Sequence, residues 1–330
     1  MVSFQKIKTC SETVHIFSAV AQAKLNLSLI EYVVLNVLDG SIYSNYDCCI
    51  YGENEQAVHR VNAVLKETYD HGSKYADLIA RQYVCSVQQI NIKMQNIQLV
   101  RKGDFCNCSH NFHPVLYAAV KENKFAICAK IAYNYLNPLY LIEWFEYQKM
   151  MTVDTVLMFI QDINQDAYAV LKYYEREGIA TLIPYPSKMP GKIDRGFLIH
   201  RWHNHQSTHD EQVAVYSCKE ILQGFAFVAV VDVDEFIVHD KFLGYTEILT
   251  TELTTSMDTH KMWPNKGYRR IELRSHNIIL YHYRKCQRSD NKTDICFRFS
   301  RNTDTKMLNI MDRLYERVIA VKRRLCISAV

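Results

Sequence analysis

The sequence predicts an α/β fold, with a mostly parallel sheet flanked by helices on both faces, preceded by a β-rich N-terminal region. Two observations carry that prediction. From about Phe125 onward, short apolar runs alternate with amphipathic segments of helical period. The last of those runs, Phe225–Val231, is apolar throughout, as a central parallel strand should be. Strand, helix and strand in regular succession is the pattern of a parallel sheet with crossover helices.

Residues 1 to about 120 have a different texture. Apolar runs at His15–Val20, Glu31–Leu38, Cys48–Tyr51, Gln82–Val87 and Ile97–Val100 are broken by polar, Asn-rich stretches. Val, Ile and Tyr dominate these runs, which therefore read as strands. This gives a β-rich region, 1–120, and an α/β domain, 121–330.

Within the second part, Phe125–Ile131 reads as a buried strand. Asn137 caps the helix after it, with Pro138 at its first position, where a missing N–H costs nothing. Leu139, Ile142 and Phe145 form its apolar stripe. Thr155–Ile160 is the next strand. Asp166 begins a helix with Val170, Leu171 and Tyr174 on one face, and Gly178 stops it. Ala180–Pro184 is a third strand. Thr208 and Asp210 open a further helix, which Gly224 ends before the fourth strand.

Composition excludes several classes. With 330 residues, 48% hydrophobic and 22% charged, the chain is neither disordered nor low-complexity. A net charge of +4 is too balanced to argue for nucleic acid as the partner. No run approaches the ~20 apolar residues of a transmembrane helix, and the N-terminus lacks the apolar core of a signal peptide. Eleven cysteines, an odd number, leave at least one unpaired. Cys106 and Cys108 form one tight pair, with no second pair to complete a zinc site. The simplest expectation is buried free thiols. Disulfides would require a secretory compartment, which sequons at Asn26, Asn107 and Asn291 would suit.

Ligands of open parallel sheets bind beyond the carboxyl ends of the strands. The residues there are Asn134, then Asp162 and Asn164, then Asp232 to Glu235. Read as the last pleats of the fourth strand, Asp232 and Asp234 share a face, while Val233 points the other way. Adjacent carboxylates repel unless a cation sits between them. Oxygen donors suit Mn²⁺ or Mg²⁺, which in turn hold diphosphates. No glycine-rich phosphate loop follows any strand, so a diphosphate would need neutralising in this other way.

Together, FAICAKIAYN, LIEWFEYQKMMTVD, VLKYYEREGIATLIPYP, DEQVAVYSC and VAVVDVDEFI resemble glycosyltransferase family 92, and LYHYRKC resembles its closing segment. The resemblance implies a Rossmann-like GT-A fold and transfer of a sugar, typically galactose from UDP-galactose, to a glycan hydroxyl. It implies Asp232 and Asp234 as Mn²⁺ (or Mg²⁺) ligands and His282 as the third. Asn134, Asp162 and Asn164 would cradle uridine, and Glu143, Trp144 and Glu146 would be structural. Glu272 and Glu235 are candidates for the base that deprotonates the acceptor. It also implies a single-pass Golgi membrane protein of type II, with membrane contact only through an anchor that this sequence does not display. The stretch between 237 and 281 is compressed relative to the family, so full transfer activity is expected to need a longer acceptor lobe.

Other features have competing explanations. His200, His203, His205 and His209 lie close together, but their spacing fits a solvated loop better than a metal site. The basic, amphipathic stretch Asn309–Leu325 reads as a solvated helix capping the domain rather than a membrane-surface helix. A haloacid dehalogenase-type phosphatase would use Asp232 as nucleophile, but Glu235–Phe236 and the missing later acidic pair disfavour it. A transferase-like binding protein without activity is the non-enzymatic alternative.

Overall fold

The computed structural model describes residues 5–8, 13–23, 30–40, 45–52, 58–88, 93–106, 112–118, 121–192, 205–239, 254–257, 262–264, 278–282 and 307–327. The largest unit is a closed barrel of seven strands: β2 (Thr13–Ala23), β3 (Ile30–Asp39), β4 (Tyr46–Gly52), β5 (Val58–Thr68), β6 (Ile79–Ser86), β7 (Met94–Arg101) and β8 (His113–Tyr117). Their spatial order is β2-β3-β6-β5-β4-β7-β8, and β8 returns parallel to β2 to close the ring. A short β1 (Gln5–Lys8) pairs with the first half of β2, where β8 does not reach. The interior is filled by alternate residues, among them Ile16, Val33, Leu35, Tyr46, Ile50, Tyr83, Ile97 and Leu99. Closure removes the unpaired edges that an open antiparallel sheet would leave.

The second unit is a four-stranded parallel sheet, ordered β11 (Ala180–Pro184), β10 (Thr155–Ile163), β9 (Lys121–Asn134), β12 (Phe225–Val230). Helices α1 (Pro138–Met150) and α2 (Gln165–Arg176) cover one face, packing Trp144, Phe145, Leu171 and Tyr174 against Phe125, Ile127, Val156 and Met158. Helix α3 (His205–Ile221) covers the other face, with Val213, Ala214 and Cys218 against Ala126, Cys128, Leu157 and Phe159. Helix α4 (Leu308–Arg324) lies on α1 and donates Arg317 Nε to the buried Glu146 at 2.8 Å. Beyond these, β13 (Glu235–His239) pairs antiparallel with β16 (Ile278–His282), and β14 (Thr254–Met257) with β15 (Met262–Pro264).

The expected fold class is corrected: the described residues are predominantly β, with a closed barrel, a small parallel sheet and four helices among them, and the fold is not a Rossmann-like GT-A fold. The individual strands and helices from Phe125 to Val230 fall close to where the sequence put them. The error lay in weight. The N-terminal runs are not a preface to an α/β domain. They close on themselves as the main architectural unit, an outcome that depends on long-range pairing such as Ala19↔Val115 and that local periodicity does not report.

Helix α3 joins the two units. Its far side lies on the outer wall of the barrel, where Ser18 and Ser217 hydroxyls are 2.7 Å apart. The buried Glu220 carboxylate accepts from Gln22 Nε2 at 3.0 Å and Gln82 Nε2 at 3.1 Å, and pairs with Lys66 Nζ at 2.7 Å. A buried carboxylate is tolerable only when its charge is paired and hydrogen-bonded in this way.

The thiol expectation is also corrected. Cys48–Cys85, Cys49–Cys106 and Cys128–Cys218 are disulfides, with Cα separations of 6.2, 5.6 and 5.8 Å. The last ties α3 to β9, and among the described residues Cys326 is the free thiol. The sequons at Asn26, Asn107 and Asn291 lie outside the described residues.

Candidate functional site at the carboxyl edge of the parallel sheet

From β9 the chain crosses by α1 to β10 on one side, while β12 pairs on the other side. The crevice between the carboxyl ends of β9 and β12 is therefore the switch point of the sheet, the place where open parallel sheets take their ligands. Asp232 and Asp234 lie here.

Their local structure differs from the expected pleat. β12 ends at Val230, and Asp232–Asp234 form a turn leading into β13. The Asp232 N–H donates to Glu235 Oε2 at 2.9 Å, and the Glu235 N–H donates to Asp232 O at 3.0 Å. This reciprocal pair works like a capping box, with Glu235 holding the turn closed. The same-face argument from strand alternation is thus replaced by a turn, because the pairing of β12 with β9 ends at Val230↔Cys128, where the Cys128 carbonyl accepts the Val231 N–H at 3.1 Å.

Helix α1 anchors the strand beyond this turn. Trp144 Nε1 donates to Glu235 O at 2.8 Å, and the Tyr147 hydroxyl to Ile237 O at 2.7 Å. Glu146 is buried and accepts from Tyr174 OH at 3.1 Å as well as from Arg317. Trp144 and Glu146 are therefore structural, as the resemblance implied. Burial alone pushes the Glu143 carboxyl above the ordinary range.

One residue of the site was missed. Lys130 lies in the middle of β9, at a bulge where the register with β10 shifts between Leu157 and Phe159. Its φ of 49° is left-handed, which is costly for a side-chain-bearing residue and marks a built position. The side chain is 4% exposed, with Nζ 3.2 Å from Asp232 Oδ1 and 3.1 Å from Glu211 Oε1 on α3. Burial lowers the pKa of this ammonium, but Glu211 and then Asp232 more than reverse that and hold it above the ordinary lysine value. The signal in the sequence was a lone cation inside an apolar strand, FAICAKIAYN.

At the neighbouring edge, Asn134 ends β9 opposite Ile163 of β10. Asn134 and Asp162 are exposed and left-handed, with φ of 60° and 43°. Asp162 Oδ1 accepts from Ser187 Oγ at 2.7 Å. Asn164 sits at the N-cap of α2, but its Oδ1 accepts from the Leu136 N–H at 2.8 Å, tying the loop after β9 to the start of α2. The structure thus brings Asn134, Asp162 and Asn164 together.

The backbone of His282 pairs directly with Glu235, one residue beyond Asp234. Glu272 lies outside the described residues. Among the described residues, no group of three or more His, Cys, Asp and Glu is arranged to hold a metal ion. Asp232 shares one carboxylate oxygen with Lys130, and its side chain is 31% exposed.

The histidine cluster is corrected in part. His205 and His209 are not in a loop but on α3, while His200 and His203 lie outside the described residues. His209 is fully buried and accepts the Ala80 N–H at Nδ1. Burial first, then His205 and His71, depress its pKa to about 4.

Residues 123–256 match the model of glycosyltransferase family 92. That segment is similar to glycosyltransferase family 92. The matched segment holds the parallel sheet, α1 to α3, Lys130 and the Asp232–Asp234 turn. No curated protein matches the chain. Two solved structures are weakly similar. One is an NADH-dependent reduced ferredoxin-NADP oxidoreductase described for flavin-based electron bifurcation, at 13% identity and a TM-score of 0.15 over 55% of this chain and 64% of that one. The other is a ferredoxin NADP⁺ reductase from Neisseria gonorrhoeae with bound FAD and NADP, at 13% identity and a TM-score of 0.13 over 61% and 79%. This chain spans 64% of the length of the first. Likeness at these TM-scores supports no statement about fold or chemistry.

Proposed function

We propose that this chain is a glycosyltransferase of family 92 that moves galactose from UDP-galactose to a hydroxyl of a glycan, with Mn²⁺ or Mg²⁺ at Asp232 and Asp234. The observation that carries the reading is the acidic turn beyond β12, at the switch point of the sheet and inside the family-matched segment. When bound, the cation supplies Lewis acidity to the departing UDP diphosphate. The chain's own residues do the rest. Glu235 closes the turn that presents both aspartates, and Trp144 fixes the strand after it. His282, in register with Glu235, is the proposed third ligand. Asn134 and Asp162 contact the uridine, and Asn164 fixes the loop that carries Asn134. The acceptor proton goes to a carboxylate, for which Glu235 and Glu272 are the candidates.

We further propose residence in the secretory pathway, anchored in the Golgi membrane. The three disulfides support an oxidising compartment. No helix among the described residues is long and apolar enough to cross a membrane.

The test is UDP release from UDP-galactose with a glycan acceptor, with and without Mn²⁺. Wild type should require the metal, and Asp234→Asn should weaken Mn²⁺-supported UDP binding by at least ~10-fold, since a charged ligand is lost. Metal-independent turnover, or unchanged UDP affinity in Asp234→Asn, would refute the assignment.

A further inference from the structure

We infer that Tyr133, Tyr135, Tyr140 and Tyr168 form a stacking platform for a neutral saccharide chain at the carboxyl rim of the sheet; the inference rests on the proposed transferase reading only for naming that chain the acceptor. Among the described residues from Lys121 to His239, these four are the large apolar side chains left exposed, at 56, 71, 55 and 47%. They are gathered at one edge. Tyr133 and Tyr135 flank Asn134 at the end of β9, Tyr140 lies in the first turn of α1, and Tyr168 in the first turn of α2. One side chain pins the group together: Asn164 Oδ1 accepts from the Leu136 N–H at 2.8 Å, which holds the residue after Tyr135 against the cap of α2. The Tyr168 N–H donates to Asn164 O at 3.0 Å, so Tyr168 stands one helical turn, about 6 Å, from that pin. On α1, Trp144 and Tyr147 bond to Glu235 and Ile237 of β13. Tyr140, four residues before Trp144, continues that row toward the Asp232–Asp234 turn.

The chemistry of the rim selects its occupant. A sugar ring presents C–H bonds polarised by neighbouring oxygens, and these rest well on the negative face of an aromatic ring. Tyrosine adds a hydroxyl at the ring edge and has only two torsions to order on binding. Exposed Gln165 and Asp166, beside Tyr168, supply planar polar groups for sugar hydroxyls. Residues 133–140 and 160–168 contain no Arg, Met, Phe or Trp, the residues that accompany tyrosine where proteins bind proteins. Their charged residues are Asp162 and Asp166, with no Lys or Arg to attract a phosphate, sulfate or carboxylate. Lys172, the first lysine further along α2, is paired with Glu175. Charge therefore favours an uncharged saccharide over an anionic one.

The probes are neutral linear tetrasaccharides of galactose, mannose and N-acetylglucosamine, with a sulfated tetrasaccharide as the charged comparison. Saturation-transfer NMR on the full chain, irradiating aromatic protons, should pass magnetisation to the C–H groups of at least one neutral probe. Tyr140→Ala combined with Tyr168→Ala should weaken that binding by on the order of 10-fold, the scale of two lost aromatic contacts. Tyr140→Phe combined with Tyr168→Phe keeps both rings and should retain most of it. Both side chains are exposed, so the variants should fold, which circular dichroism checks. The double alanine variant should bind UDP with Mn²⁺ as wild type does. The inference is overturned if no neutral probe binds, if the sulfated probe binds better, or if the double alanine variant keeps wild-type saccharide affinity. It is also overturned if that variant loses UDP affinity, which would give the rim to the nucleotide. A wild type that binds saccharide through these tyrosines yet binds no UDP-sugar, with or without Mn²⁺, would instead remove the transferase reading and leave the platform standing.

Discussion

Replacing both Cys128 and Cys218 by Ala should cost the fold about 4–5 kcal/mol. The bridge closes 90 residues of chain. In the loop-closure account, a cross-link of that length removes about 15 cal/mol/K of entropy from the unfolded chain, or roughly 4.6 kcal/mol near 25 °C. The native geometry suggests that little is recovered by relaxation: both sulfurs lie in the fully buried layer between α3 and the sheet, among Ala126, Leu157, Phe159 and Val213. The consequence should extend to the site, because Cys128 pairs with Val230 and lies two residues before Lys130. Urea unfolding followed by far-ultraviolet circular dichroism, on oxidised protein whose other two bridges are verified by mass spectrometry, measures the loss. A midpoint within error of wild type would refute the reasoning, since neither loop entropy nor the packing of that layer would then depend on the bridge.

Saturating UDP with Mn²⁺ should raise the melting temperature through linkage, and an equal rise with a purine nucleotide would refute the uridine assignment. Because the folded-state pKa of His209 is near 4, below the ordinary 6.5, the unfolded chain takes up that proton first. Stability present above pH ~6.5 should be lost as pH falls toward 4, by up to about 3 kcal/mol at 1.36 kcal/mol per unit, and His209→Gln should flatten that part of the profile in chemical denaturation. Trp144→Phe leaves the Glu235 carbonyl without its indole donor in a buried position. It should cost about 1–3 kcal/mol in urea unfolding and weaken Mn²⁺–UDP binding in calorimetry, whereas unchanged UDP affinity would uncouple α1 from the turn.

What could be read in advance was local. Asn137 caps α1 through Leu139 N, and Gly178 turns the chain at φ 80° after α2, both visible as residue types at fixed offsets. The strand at Ala180–Pro184 was placed to the residue. β5 was not seen at all. Its sequence, VHRVNAVLKET, mixes charged residues into the alternation because among its described side chains Ala63 alone is buried. Without β5 the barrel has no ring to close, so the dominant unit of the fold stayed out of sight. The site was legible as far as one acidic motif. Lys130 was hidden because a lysine within an apolar run looks like noise until a bulge aims it at two carboxylates from other elements.

The barrel has no residue in the proposed chemistry, yet it bears on the site through α3. That helix lacks a clear polar face, because the sheet lies on one side and the barrel wall on the other. Its buried positions run from Gln206 and His209 through Val213 and Ser217 to Glu220. A helix held on one side only could slide along the sheet. Here the Cys128–Cys218 bridge fixes it to β9, and the Ser18–Ser217 and Gln22–Glu220 bonds fix it to β2. Glu211 is carried on this doubly held helix, and the Lys130–Asp232 contact is shared with it. Charge balance at the acidic turn therefore depends on a register set partly by the barrel. A polar seam suits that task better than an apolar one, since unmatched buried hydrogen-bonding groups penalise every register but the native one.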